Sequence, residues 1–167
     1  MPENLLRLAE KEGILVGFFA LTGDTLGVYY RVSGRPPVIL LNKRIQHNRK
    51  LLRCILAEEL GHHFTTSSNE MAFALTSKYL TKKYEKIALW WAVNHLIPIN
   101  SLVQAMKYKI YDTRELADLF DVTERFMATG LQLYTEKYGD LINLNVPPDK
   151  NAATPPDSKN TAPKRLF

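Results

Sequence analysis

The sequence predicts one α+β domain, mostly helical, with a small three-stranded sheet near the N-terminus and a helix-turn-helix-like C-terminal part. Three observations carry this. β-Branched and aromatic residues concentrate between Ile14 and Asn42, broken by the turn-forming runs Thr22-Gly23-Asp24 and Ser33-Gly34-Arg35-Pro36-Pro37. From Arg49 onward the apolar spacing lengthens to that of a helix. The 167 residues, 46% hydrophobic and 23% charged, have the length and composition of a globular unit able to bury a core.

The elements follow in order. Glu3 to Glu12 carries Leu5, Leu6, Leu8 and Ala9 at helical spacing and stops at Gly13, a residue suited to a helix end. Strands are expected over about 14–21, 26–32 and 37–41. The middle strand alternates Val28, Tyr30 and Val32 with Gly27, Tyr29 and Arg31, which suits a sheet covered on one face by a helix. Leu51, Leu52, Ile55, Leu56 and Leu60 then mark a helical stripe running to about His63. Asn69 can cap a further helix to about Leu80, and a longer one spans Thr81 to Leu96, ending before Ile97-Pro98. Three helical pieces close the domain: Ser101–Met106, Thr113–Phe120 and Thr123–Tyr138. The last two, separated by Asp121-Val122, give the helix-turn-helix-like pattern. The folded domain is placed at 1–140. Residues 141–167 form a Pro-rich disordered tail, since Val146 to Phe167 holds five of the nine prolines and almost nothing apolar.

Composition excludes several classes. No apolar run approaches the roughly 18 to 20 residues of a membrane-spanning helix, and the opening MPENLLRLAEKEG lacks the basic start and unbroken apolar centre of a secretory signal. The single cysteine, Cys54, can form neither an internal disulfide nor a cysteine-based zinc site, so a cytoplasmic location is expected. The net charge of +5 comes from 22 basic and 17 acidic residues, an ordinary mixed surface. In the helix-turn-helix-like pair Arg125 and Lys137 are accompanied by Glu124 and Glu136, which favours packing or substrate docking over direct contact with nucleic acid.

The run Ala57-Glu58-Glu59-Leu60-Gly61-His62-His63 carries the chemistry. At about 3.6 residues per turn, positions i and i+4 share a helix face, so Glu58 and His62 can hold one metal ion. Glu59 and His63 make a second such pair. The H-E-x-x-H zinc protease helix uses two histidines as ligands and its glutamate as general base on the attacking water. Here Glu58 stands at the first histidine position. A carboxylate there adds negative charge, which lowers the acidity of water on the metal and brings manganese or iron into play beside zinc. A third ligand is needed from a later helix: Glu85 is the first candidate, His95 its rival. His47 reads as a loop polar residue, Cys54 as a small buried hydrophobe, and Trp90 and Trp91 as packing residues.

These residues bring the chain close to a known family. It resembles the ImmA/IrrE metallopeptidases, particularly the form found in phages and mobile elements of Gram-positive bacteria. The likeness lies in Cys54-Ile55-Leu56-Ala57-Glu58-Glu59-Leu60-Gly61-His62-His63-Phe64-Thr65-Thr66, in a later element formed by Glu85, Ala88, Trp91, Ala92, Ile97 and Pro98, and in the helical ending from Glu115 to Glu124 and Tyr134 to Gly139. It spans roughly residues 1 to 140. The resemblance implies a zincin-like core, one divalent metal, zinc before manganese or iron, and cleavage or inactivation of a partner protein, typically a helix-turn-helix repressor of a prophage or mobile element. By position it implies Glu59 as general base, and His62 and Glu85 as metal ligands. Glu58 matches a ligand by place but not by residue type. A binding-only antirepressor and a helix-turn-helix DNA-binding regulator are the competing functions.

Overall fold

The computed structural model describes residues 2–66 and 78–139. The first helix, α1 (Pro2–Lys11), buries Leu5 and Ala9 and ends as expected at Gly13, whose φ of 68° lets Ile14 N–H return to the Ala9 carbonyl. Three strands follow, β1 (Leu15–Phe19), β2 (Gly27–Tyr30) and β3 (Val38–Asn42). They lie in the order β1-β3-β2, with β1 parallel to β3 and β2 antiparallel to it. β1 and β2 are shorter than the sequence pattern suggests, while β3 keeps its expected length one residue later. The one covered face expected for β2 is the one bearing Tyr29, while Val28 and Tyr30 face outward with Leu15 and Phe19 of β1. Inward, Ile39 and Leu41 are fully buried.

Asn42 ends the sheet. Its side chain accepts from Arg44 N–H to cap a short 3-10 turn, Lys43–Ile45, and donates to the Leu21 and Thr25 carbonyls. The loop between β1 and β2 is thereby tied to the point where the chain leaves the sheet. Asn48 caps the next helix, α2 (Arg49–Thr65), accepting from Leu51 N–H. Its buried stripe is Cys54, Leu56, Ala57, Leu60 and Gly61, with Leu52 and Ile55 packed at its margin.

The helix expected from Asn69 to about Leu80 falls on residues 67–77, which lie outside the described residues, except for positions 78–80; the tail from 141 also lies outside them. The long helix α3 spans Lys78–Leu96 and starts three residues before the position expected from its pattern. It crosses α2 at a pair of small residues. A Cβ on Gly61 would stand 2.3 Å from the Ala88 carbonyl oxygen, so only glycine permits this approach. Ala92 and Val93 extend the same contact and are fully buried.

Three helices complete the domain: α4 (Ile99–Lys107), α5 (Thr113–Leu119) and α6 (Glu124–Tyr138). Asp112 caps α5 and Thr123 caps α6. The turn between them holds Asp121 at φ 53°, and Arg53 of α2 donates to both the Phe120 and Asp121 carbonyls, at 2.6 and 2.8 Å. At the other end of α6, the buried Tyr134 hydroxyl donates to the Ile97 carbonyl at 2.6 Å. The helix-turn-helix-like pair is therefore docked at both ends against the body of the domain. No described helix is long and apolar enough to cross a membrane.

The Gly61 contact gives a direct test. Gly61→Ala is expected to lower stability by about 1–3 kcal/mol, the usual cost of overpacking, read as a lower urea midpoint.

Candidate metal and catalytic site

Glu58 and His62 share a face of α2, and the α2–α3 crossing brings Glu85 opposite them. His62 Nε2 lies 3.4 Å from Glu85 Oε2. All three line one cavity of about 350 Å³. Its remaining walls are Lys86, Ala88 and Leu89 of α3 and Thr129, Gln132, Leu133 and Glu136 of α6. Glu136 bridges the two walls, accepting from Lys86 Nζ at 3.1 Å and from Gln132 Nε2 at 3.0 Å.

Charge in this cavity is unbalanced. Burial pushes the Glu58 carboxyl up to about 7, and the neighbouring Glu85 charge adds to the effect against His62 and Arg125. At His62 burial opposes the charged ring, yet the Glu85 hydrogen bond and the charges of Glu85, Glu59 and Glu58 together raise it above its ordinary value. The same hydrogen bond to His62 holds Glu85 below the usual carboxylate range in spite of partial burial.

The donor set suits a divalent cation. Two carboxylates and an imidazole line one cavity from facing helices, and a cation there would offset the burial and the Glu85 charge that together raise Glu58. The side-chain arrangement is not that of a formed ligand cage: among the described residues no three His, Cys, Asp or Glu side chains converge closely enough to hold one ion. His62 Nε2 and Glu85 Oε2, 3.4 Å apart, nevertheless stand at about the separation that two donors take around one tetrahedral zinc.

Glu59 lies outside the cavity lining, about 100° around α2 from Glu58. It faces β2, with its carboxylate against the backbone of Gly27. A Cβ on Gly27 would stand 2.5 Å from Glu59 Oε1, so the strand can approach this closely only with glycine there. Burial pushes the Glu59 carboxyl up to about 7; His62 opposes this, while Glu58 and Glu85 add to it.

The other candidates sort by position. His63 faces away from the cavity, with Nδ1 3.0 Å from the Tyr29 hydroxyl and Nε2 3.8 Å from Glu12 Oε2. His95 stacks on Trp91 with ring centroids 4.8 Å apart and does not line the cavity. Trp91 also stacks on Phe64, while Trp90 meets Tyr134 edge-on beneath Lys137, so both tryptophans pack. Cys54 is buried, with its thiol pushed up to about 11 by burial, and His47 is exposed on a turn. Sequence reasoning missed two contributions: the α6 wall of the cavity and the Gly27 backbone against which Glu59 lies. The first comes from more than sixty residues beyond the motif, and the second is a backbone group.

The family model described as the IrrE N-terminal-like domain matches residues 9–132. No curated protein sequence matches the chain. The matched span runs from α1 into α6 and contains Glu58, Glu59, His62 and Glu85. With a match over most of its length, the chain belongs to the peptidase M78 family of IrrE N-terminal-like domains, a metallopeptidase-type family.

Proposed function

We propose that the protein is a metal-dependent endopeptidase that cleaves a repressor of a prophage or mobile element in the bacterial cytoplasm. The observation that carries this is the gathering of Glu58, His62 and Glu85 on one cavity, with Glu59 on the adjoining face of the same helix turn. Glu58, His62 and Glu85 would hold one divalent cation, zinc before manganese or iron. When bound, the cation supplies Lewis-acid polarisation of the scissile carbonyl.

The remaining chemistry belongs to the chain. Glu59 takes a proton from the attacking water and delivers it to the leaving amine. Burial raises the Glu59 carboxyl toward the range that suits a group acting first as base and then as acid, and a bound cation would counter part of that rise. Leu89 and Leu133 give the cavity an apolar flank, and Gln132 and Thr129 offer polar groups to a bound peptide.

A second reading has its own support. The carboxylate at position 58 and the hold of β2 on Glu59 favour a binding-only antirepressor that grips its target without cutting. Direct DNA reading by α6 is disfavoured, because its Thr129, Gln132, Leu133 and Glu136 face is spent on the cavity.

Two expectations follow from the site. Glu59→Gln should retain fold and about one metal per chain while cleavage of the cognate repressor falls by about 10²-fold or more; derepression unchanged by this variant selects the binding-only reading. Metal content by mass spectrometry, lost in His62→Ala, checks the ligand set. The second expectation concerns pH. Glu58 and Glu59 titrate at about 7 when folded, against 4.5 when exposed, so the native state binds more protons between those values. Each contributes stability that is present below about 4.5 and lost as pH rises through about 7. The urea midpoint of chelator-treated protein should therefore fall between about pH 5.5 and about pH 8, and zinc should offset the loss at the higher pH. A flat profile across that window would count against the buried carboxylate pair.

A further inference from the structure

The outer face of the sheet carries no charged side chain. Pleat alternation and strand register set its residues in two rows across the three strands. Leu15, Val38 and Tyr30 form the first row. Gly17, Leu40 and Val28 form the second, and its gap at Gly17 is filled from the same strand. A Cβ on Gly17 would stand 2.8 Å from Cε2 of Phe19, whose ring therefore lies back over the glycine. The result is a continuous layer, apolar apart from the Tyr30 hydroxyl, with no Lys, Arg, Asp or Glu in it.

A sheet face left in water reads differently. One solvated face gives alternation of apolar-in with polar-out, and parallel pairs such as β1 with β3 occur almost only where both faces are covered. Here Leu15 and Tyr30 are each 59% exposed and Phe19 is 52% exposed. Among the described residues, the helices packed on the sheet are α1 and α2, on its inner side with Tyr29, Ile39 and Leu41. The cavity is lined by α2, α3 and α6 and takes no residue from the sheet.

We propose that this face is the contact between two copies of the chain, packed sheet on sheet about a two-fold axis. Three features choose a second copy as the occupant. An uncharged face meets itself without burying a charge or setting like charges together, which matters for a chain of net charge +5. Two pleated apolar faces interdigitate at about 10 Å separation, as in the core of a β-sandwich. The third feature is area. With exposures near one half, and roughly 150–250 Å² for a whole aromatic side chain, the layer offers on the order of 500 Å² on each copy. Two copies together bury on the order of 1,000 Å², the size at which a specific interface holds. Such a dimer leaves both cavities open. The proposal goes beyond the peptidase reading and does not depend on it.

The test is sedimentation velocity on the full chain at rising concentration. The expected result is a shift from the 19.1 kDa chain to twice that mass, with a dissociation constant on the order of 10 μM for an interface of this size. Leu15→Lys and Tyr30→Lys stand on opposite edge strands of one row. Each should raise the dissociation constant by about tenfold or more, because the dimer must then bury an ammonium group. Tyr108→Lys, at an 80% exposed tyrosine after α4, is the control and should leave the dimer intact. Urea midpoints of the two face variants, taken at about 1 μM where the chain is monomeric, should match wild type, as for other exposed positions. A wild-type chain that stays monomeric to about 500 μM overturns the proposal. A dimer that survives either face substitution also overturns it, since another surface then makes the contact. So does a lowered urea midpoint in both face variants at 1 μM, which would mean that the face is covered from within the same chain.

Discussion

The close crossing of α2 and α3 is the constraint on which the site depends. Gly61 lies directly against the Ala88 carbonyl, and its neighbour His62 is thereby carried to Glu85. A larger residue at 61 would separate the helices and with them the two side chains. The small residues Ala57, Ala88 and Ala92 along the same seam are a packing choice with a chemical result. They let a carboxylate on one helix meet an imidazole on another within a largely apolar body.

The third wall is supplied from a distance. Arg53 fixes the turn before α6 through two carbonyls, and Tyr134 fixes the far part of α6 to the end of α3. A guanidinium that satisfies two carbonyls removes the need for either to find water and gives the turn a defined seat. Between these anchors, α6 has little choice but to face the cavity. The helix-turn-helix-like pattern thus serves as a structural brace. Lys86 and Glu136 complete it across the opening, as an exposed pair that adds little stability but defines the rim.

Much of this was legible in the sequence, for identifiable reasons. The motif helix announced itself through Leu52, Ile55, Leu56 and Leu60 at helical spacing, and i, i+4 geometry alone put Glu58 and His62 on one face. Cys54, Trp90 and Trp91 are packed as their surroundings suggested. Gly13 closes α1 where expected. What could not be read came from tertiary contacts. No local pattern reveals that Glu136, held by Gln132, reaches across to Lys86, or that β2 lies against Glu59 at Gly27. Strand lengths were overestimated because β-branched residues such as Val32 continue past the point where pairing stops. The extension of α3 back to Lys78 follows from favourable helix formers in the Lys78-to-Glu85 run.

The strand order has a consequence for how the molecule assembles. β1 can pair only with β3, which the chain reaches some twenty residues later, whereas β2 and β3 are joined by a short turn and lead directly into α2. Local closure of that kind costs less chain entropy than bringing in α6. Glu59 meets β2 across about thirty residues of chain and His62 meets Glu85 across about twenty, whereas the α6 wall of the cavity is reached only some seventy residues after the motif. That wall is consequently the part of the site assembled over the longest reach of chain. Damage to the C-terminal helices would dismantle it while leaving His62 and Glu85 facing each other on α2 and α3.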